Sequence, residues 1–263
     1  MTRLALLLTS FLLVASFGCT QKKEESASSP AEKSSSKKEL IVGTDAAYAP
    51  FESENADKTL SGFDIEVIQA VAAKTGLQIQ IVNTPWEGLF NQLDSGDRDI
   101  LISAITINDE RKKSMDFSDP YFEAVQLIAV PNKSTVSKFD DLKKLKVGVQ
   151  IGTTGDSVVT QLLGKDSSSI KRFEGTPLAL QELINGGVDA VVADNGVINN
   201  FFANNPKNFK VLSDTSFSKE VYGIAVKKGN AELLQKINSG LSQIKADGTY
   251  DSIYKKYFGE KKN

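Results

Sequence analysis

Along this chain, short apolar runs alternate with stretches in which apolar residues recur every three or four positions. The runs fall at 40–43, 78–82, 99–103, 146–150 and 188–193, and their length and content of Ile, Val and Leu predict β-strands. Between the first two, Ile65, Ile68 and Ala72 keep helical spacing over 63–74, and Gly76 supplies a stop. Strands alternating with helices in this order predict an α/β fold with largely parallel sheets flanked by helices. A weak repeat adds a second level of order. Thr84-Pro85 opens a helical stretch that ends at Ser95-Gly96 and leads into Asp99 and the strand ILIS, and Thr176-Pro177 opens one that ends at Asn185-Gly186-Gly187 and leads into Asp189 and VVA. In each, threonine is expected to cap a helix whose first position is proline, with glycine closing it. Two such units predict two lobes of similar plan. The apolar segments 121–130 and 221–226 then become crossings between them, and paired crossings make a hinge. Lobe 1 is expected over 39–122 and 223–263, and lobe 2 over 123–222.

The N-terminus places Arg3 before an apolar stretch at 4–17, with Gly18 directly preceding Cys19, the only cysteine. This is the layout of a secretory signal peptide over 1–18. A small residue followed by cysteine resembles the lipobox of bacterial lipoproteins, although Ser16 and Phe17 depart from its usual leucine-small pattern. On that resemblance Cys19 is lipidated and anchors an exported protein to the cell membrane, on its periplasmic or extracellular face. Residues 19–38, rich in Ser, Lys and Glu without apolar periodicity, predict a flexible tether. After Leu40 no apolar run of about 18 residues recurs, so no spanning helix is expected in the body. With 31 basic and 33 acidic residues and a formal net charge of −2, the chain has no basic field for nucleic acid. Histidine is absent, which removes the commonest general base and every Ser-His or Cys-His nucleophile pair. A single cysteine leaves no internal disulfide and no cysteine-built zinc site. No metal or cofactor is expected.

In open α/β sheets, small ligands bind beyond the carboxyl ends of the strands. After the first run come Asp45, Tyr48 and Phe51, a carboxylate and two aromatics in a turn-prone segment; a turn aspartate and packed rings would look the same. The third run ends at Ser103, and Ala104 leads to Thr106 and to Arg111 behind a short helix start at Asp109-Glu110. An arginine so placed can stay on the surface, or reach back to grip a carboxylate through two parallel hydrogen bonds while Thr106 adds a hydroxyl and an N–H. In the second half, Gln150, Gly152, Thr153, Thr154 and Gly155 leave a strand and open a helix, offering free N–H groups to a small carboxylate or forming a plain capped start. No Gly-Lys-Ser/Thr follows, so this is not a phosphate-binding P-loop. Asp194, directly after VVA, suits an ammonium group, and can equally cap a helix at Asn195-Gly196. Trp86, just inside a helix start, is by itself a core aromatic.

The stretches GTDAAYAPFE at 43–52, GFDIEV at 62–67, ITINDERKKSMDFSDPYF at 105–122, VGVQIGTTG at 147–155, GGVDAVVADN at 186–195 and DGTYDSIYKKYFG at 247–259 resemble, in this order, the polar amino-acid-binding proteins of ABC importers, solute-binding protein family 3. The resemblance covers nearly all of 39–259. It implies a two-lobe periplasmic-binding-protein clamshell of type II that closes on one amino acid and presents it to an inner-membrane ABC permease. It gives the ligand carboxylate to Arg111 with Thr106 and Thr154, the α-ammonium to Asp194, and the flanks of the side chain to Tyr48 and Trp86, with Asp45 at the distal end. Phe51, Ser103, Ala104, Gln150 and Thr153 complete the expected set. A carboxylate among aromatics suits a guanidinium or ammonium, so arginine or lysine is the expected ligand. Glutamine-binding relatives share the aspartate but tend to carry lysine where this chain has Gln150; glutamine is the alternative, and histidine or ornithine stay open. Binding without catalysis is expected. A dehydratase on the same fold would need an acid in the cleft, with Asp119 or Glu123 as first suspects.

Overall fold

In the computed structural model, residues 39–205 and 209–260 are described; the expected signal peptide, Cys19 and the tether lie outside the described residues. The first apolar run forms β1 (Leu40–Thr44), followed by a small meander of β2 (Ala47–Tyr48), β3 (Glu52–Glu54) and β4 (Leu60–Ser61). The 63–74 periodicity becomes α1 (Phe63–Thr75), closed by Gly76 in the left-handed conformation at φ 63°, where glycine carries no Cβ penalty. Then come β5 (Ile79–Asn83), α2 (Trp86–Ser95), β6 (Ile100–Leu101), α3 (Asp109–Lys112) and β7 (Met115–Phe117). The chain leaves through β8 (Phe122–Ala124) and builds a second half from β9 (Gln126–Pro131), β10 (Val147–Gln150), α4 (Thr154–Leu163), β11 (Ile170–Phe173), α5 (Thr176–Asn185), β12 (Ala190–Asp194), α6 (Asn195–Asn204) and β13 (Phe209–Leu212). It returns through β14 (Glu220–Tyr222) to β15 (Ala225–Lys227), α7 (Ala231–Ala246) and α8 (Thr249–Phe258).

Two five-stranded sheets result, ordered β5-β1-β6-β15-β7 and β11-β10-β12-β9-β13. In each, the first three strands are parallel, and the fourth runs antiparallel to both its neighbours. The fifth strand therefore runs with the first three, so each sheet is largely parallel, as expected, with one antiparallel strand inserted. The reason is physical: β9 and β15 each arrive directly from the other half, so no helical crossover imposes a parallel direction on them. The two crossing strands pair antiparallel, Phe122 opposite Tyr222 and Ala124 opposite Glu220.

The strand runs are continuous rather than alternating because both faces of the sheet are covered. Along β9 and β12, Ile128, Val130, Ala190 and Val192 join one cluster, while Leu127, Ala129, Val191 and Ala193 join another on the opposite face. The first half packs Val42, Phe63, Ile68, Ile100, Ile237 and Ile244 into a core beneath α1 and α7. Among the described residues no helix is long and apolar enough to cross a membrane. The expected threonine caps are not formed. Pro85 is extended (φ −54°, ψ 141°) and itself takes the N-cap position of α2, leaving Thr84 one residue too early; its hydroxyl accepts from Arg98 Nε at 3.0 Å. α5 starts at Thr176 after Gly175, so Pro177 is the second helical residue.

Candidate ligand-binding site

The strand ends of the two sheets converge on one cavity lined by Asp45, Tyr48, Trp86, Ser103, Ala104, Thr106 and Arg111 from the first half and by Gln150, Thr153, Thr154 and Asp194 from the second. Its walls bound about 310 Å³ of atom-free space, counting the part open to solvent. Eleven of the twelve residues singled out in the body of the sequence therefore meet. Phe51 is placed elsewhere: a turn from its N–H to Tyr48 O (3.0 Å) precedes a ring wholly buried in the core. Its centroid lies 4.9 Å from Phe122 and 5.3 Å from Tyr222.

At one end Arg111 follows Asn108, whose carboxamide caps α3 by accepting Arg111 N–H at 2.9 Å. The guanidinium turns inward, donates to Thr106 O at 2.9 Å and to Gly152 O at 3.4 Å, and lies 5.3 Å from the Trp86 ring and 5.2 Å from Phe90. It forms no ion pair among the described residues. Burial holds it below its ordinary pKa while the charges of Asp194 and Glu220 pull the other way. Thr153 caps α4 (Asp156 N–H to Oγ1, 3.2 Å), which fixes the adjacent Thr154 at the helix start. An uncompensated cation beside a helix N-terminus is a receptor for a carboxylate.

Asp194 stands at the N-cap position of α6 yet makes no side-chain cap bond. Its carboxylate instead accepts the hydroxyls of Tyr48 (2.8 Å) and Tyr222 (2.5 Å) and the Gln126 amide. Burial raises its pKa, and the Tyr222 and Tyr48 hydroxyls lower it. Gln126 and Glu220 were not apparent in the sequence. Glu220 Oε2 accepts from Thr106 (2.7 Å) and Thr154 (2.8 Å), joining the two halves, and Oε1 accepts from Gln126 at 3.2 Å. The signal available for Gln126 was a lone polar residue opening the apolar run QLIAVP, since a buried amide needs partners.

Asp45 lies at another wall. Its N–H donates to Ser103 Oγ (2.9 Å), and among the described residues its carboxylate meets only a long contact from Gln150 Nε2 at 3.4 Å. Gln150 is held by Thr176, whose N–H (3.2 Å) and hydroxyl (2.9 Å) both donate to its Oε1. Burial pushes Asp45 up to about 6, with the Gln150 amide working against it. Asp119 and Glu123 are exposed and outside the cavity lining.

Two mixed sheets joined by paired crossing strands, with a small polar cavity at their facing strand ends, define a two-lobe solute-binding protein. The chain belongs to the bacterial extracellular solute-binding proteins, family 3, whose profile matches residues 40–260. A protein of Neisseria gonorrhoeae described as a probable histidine-binding protein is 46% identical over 221 residues, 83% of this chain and 82% of its own. The arginine-, lysine-, histidine-binding protein ArtJ from Geobacillus stearothermophilus is 45% identical, with a TM-score of 0.83 over 86% of this chain and 97% of its own. An ancestral arginine-binding protein bound to arginine is 44% identical, with a TM-score of 0.79 over 84% of this chain and 98% of its own; an ancestral arginine-binding protein bound to glutamine is likewise 44% identical, with a TM-score of 0.78 over 84% of this chain and 98% of its own.

Proposed function

We propose that this protein captures a single free amino acid with a cationic side chain, arginine or lysine, and delivers it to an ABC permease from a lipid anchor at Cys19 outside the cytoplasm. The observation that carries the side-chain assignment is Asp45, a buried carboxylate on the cavity wall with no cation beside it among the described residues. In this reading Arg111 takes the ligand carboxylate, with Thr106 and Thr154 at its sides. Asp194 takes the α-ammonium, Tyr48 and Trp86 flank the side chain, and Asp45 receives the distal charge. Such a ligand brings two positive charges and one negative to a cavity presenting Asp45, Asp194 and Arg111, so each charge finds its opposite. The relatives described as binding arginine, lysine or histidine support this choice. Glutamine is the second reading, favoured by the complex of an ancestral arginine-binding protein with glutamine. Binding without catalysis is supported by relatives described as binding proteins.

Isothermal titration with arginine, lysine, histidine and glutamine at several pH values tests the assignment. Because Asp45 titrates at about 6 and only its ionised form attracts a cation, arginine affinity is expected to be level above pH 7 and to fall about tenfold per pH unit below 6. Glutamine, meeting the same Arg111 and Asp194, serves as the reference. An identical pH profile for the two ligands, or a preference for glutamine, would overturn the role of Asp45; silence with all four would overturn amino-acid binding.

A further inference from the structure

Behind the wall made by Ser103 and Ala104, two carboxyl groups lie against each other with no exposure to solvent: Glu52 on β3 and Asp64 in the first turn of α1. Glu52 Oε1 accepts the Ser103 hydroxyl at 2.9 Å, and the same hydroxyl oxygen accepts the Asp45 N–H at 2.9 Å. Asp64 Oδ2 accepts the Ala104 N–H at 2.7 Å and the Tyr121 hydroxyl at 2.7 Å. Each side chain thus spends one oxygen on the corner of the cavity. The other two oxygens, Glu52 Oε2 and Asp64 Oδ1, are buried without a hydrogen-bond partner among the described residues, and each carboxyl perturbs the protonation of the other. Two ionised carboxylates are acceptors only, so these two unpartnered oxygens can satisfy each other only if one of them carries a hydrogen. The titratable groups that face the pair are Asp45 from the β1–β2 turn, Tyr48 on β2, Tyr121 ahead of β8 and Tyr250 on α8. None is a cation that could neutralise two buried charges.

We propose that Glu52 and Asp64 share a single proton, Glu52 Oε2–H donating to Asp64 Oδ1, and that this pair is a positioning device for the Ser103–Ala104 corner of the binding cavity. The corner needs one. Ala104 sits at φ 47°, a left-handed conformation that costs a residue with a side chain about 1 kcal/mol or more, and its N–H is held there by Asp64. Burial raises the pKa of both acids; the charge of Asp64 pushes Glu52 further up, while the Ala104 N–H and Tyr121 hydroxyl pull Asp64 back. The proton therefore resides on Glu52 and the charge on Asp64. Through Ser103 and the Asp45 N–H, the pair also fixes the residue assigned to the ligand's distal charge, a consequence that rests on the reading proposed above.

The proton count can be measured without any ligand. At pH 7.5 the pair carries one negative charge, held on Asp64, and E52Q leaves that charge in place with an amide N–H instead of the shared hydrogen. Native electrophoretic mobility of the full-length protein is expected to be unchanged by E52Q, whereas D109N, at an exposed side chain, moves it by one charge. In denaturant both shift alike. A native shift of E52Q equal to that of D109N means that both acids are ionised and overturns the shared proton. Positioning is read by arginine titration: E52L, which removes the donor, is expected to weaken binding about tenfold or more, with E52Q restoring it to within about threefold. If E52L does not fold, D64L against D64N makes the same comparison from the other partner. Parental affinity in the leucine variants would overturn the positioning role. A parent that binds no amino acid refutes the function proposed above and leaves the mobility result to decide the proton.

Discussion

A buried carboxylate without a cation raises the free energy of the folded chain, and Asp45 is held in that position. Its pKa moves from 3.8 to about 6, a difference of about 3 kcal/mol between its two protonation states. The sign follows from proton binding: over the interval between these values the unfolded chain has lost the proton that the folded chain keeps. Stability is therefore highest below the ordinary aspartate range, falls as pH rises toward 6, and stays lowered above it. Asp45→Asn is expected to raise the urea-unfolding free energy of the ligand-free protein by up to about 3 kcal/mol at pH 7.5, with the gain shrinking toward zero near pH 4. It should also abolish the arginine preference. No gain at pH 7.5 would mean that Asp45 is satisfied in the free protein. Single residues were legible in proportion to how few jobs their type can do. An arginine behind a strand end or an aspartate after one offers two readings, and only the fold separates them: Asp194 stands where a cap would stand but spends its oxygens on Tyr48, Tyr222 and Gln126. Phe51, three residues from Tyr48, could not be told from a cavity aromatic because the turn between them decides which way each ring faces.

At the scale of elements, the apolar runs located the central strands of both sheets to within a residue or two, because strands covered on both faces leave a continuous signal. Short strands were harder. β7, β8, β14 and β15 have three residues each, and their pairing comes from where the chain crosses rather than from any local period. The Thr-Pro helix starts were placed correctly and explained wrongly, since proline's extended conformation moved the cap by a residue at α2. At α4 the packing is tight enough for a direct test. A Cβ on Gly155 would come within 2.9 Å of Val192 O and 3.0 Å of Gln126 Oε1, and the first of these is backbone in the middle of β12. Gly155→Ala should displace the start of α4, costing about 1–3 kcal/mol as other overpacked sites do. It should also weaken ligand binding through Thr154, in titrations on protein shown by circular dichroism to be folded. Unchanged stability would show that α4 can shift freely on β12.

For the molecule as a whole, the repeat seen in two Thr-Pro-to-Gly units grew into two sheets with the same strand order and the same pattern of parallel and antiparallel neighbours. The sequence echo was weak because only the parallel part of each sheet is built from the repeated unit; the fourth strand comes from the other half. The links that bring the halves together were invisible for the same reason. Tyr48 to Asp194 spans 146 residues, and Glu220 draws Thr106 and Thr154 to one oxygen across separations of 114 and 66. These contacts depend on the completed fold. One further property follows from Trp86. It is the only tryptophan in the chain, and its indole lines the cavity 5.3 Å from the Arg111 guanidinium. Essentially all indole fluorescence therefore originates at the place where a ligand carboxylate would neutralise that cation. Arginine should alter the emission in proportion to occupancy, Trp86→Phe should darken the protein without unfolding it, and steady emission at calorimetric saturation would put the ligand away from the indole. The protein is in this sense its own optical gauge of the solute it holds.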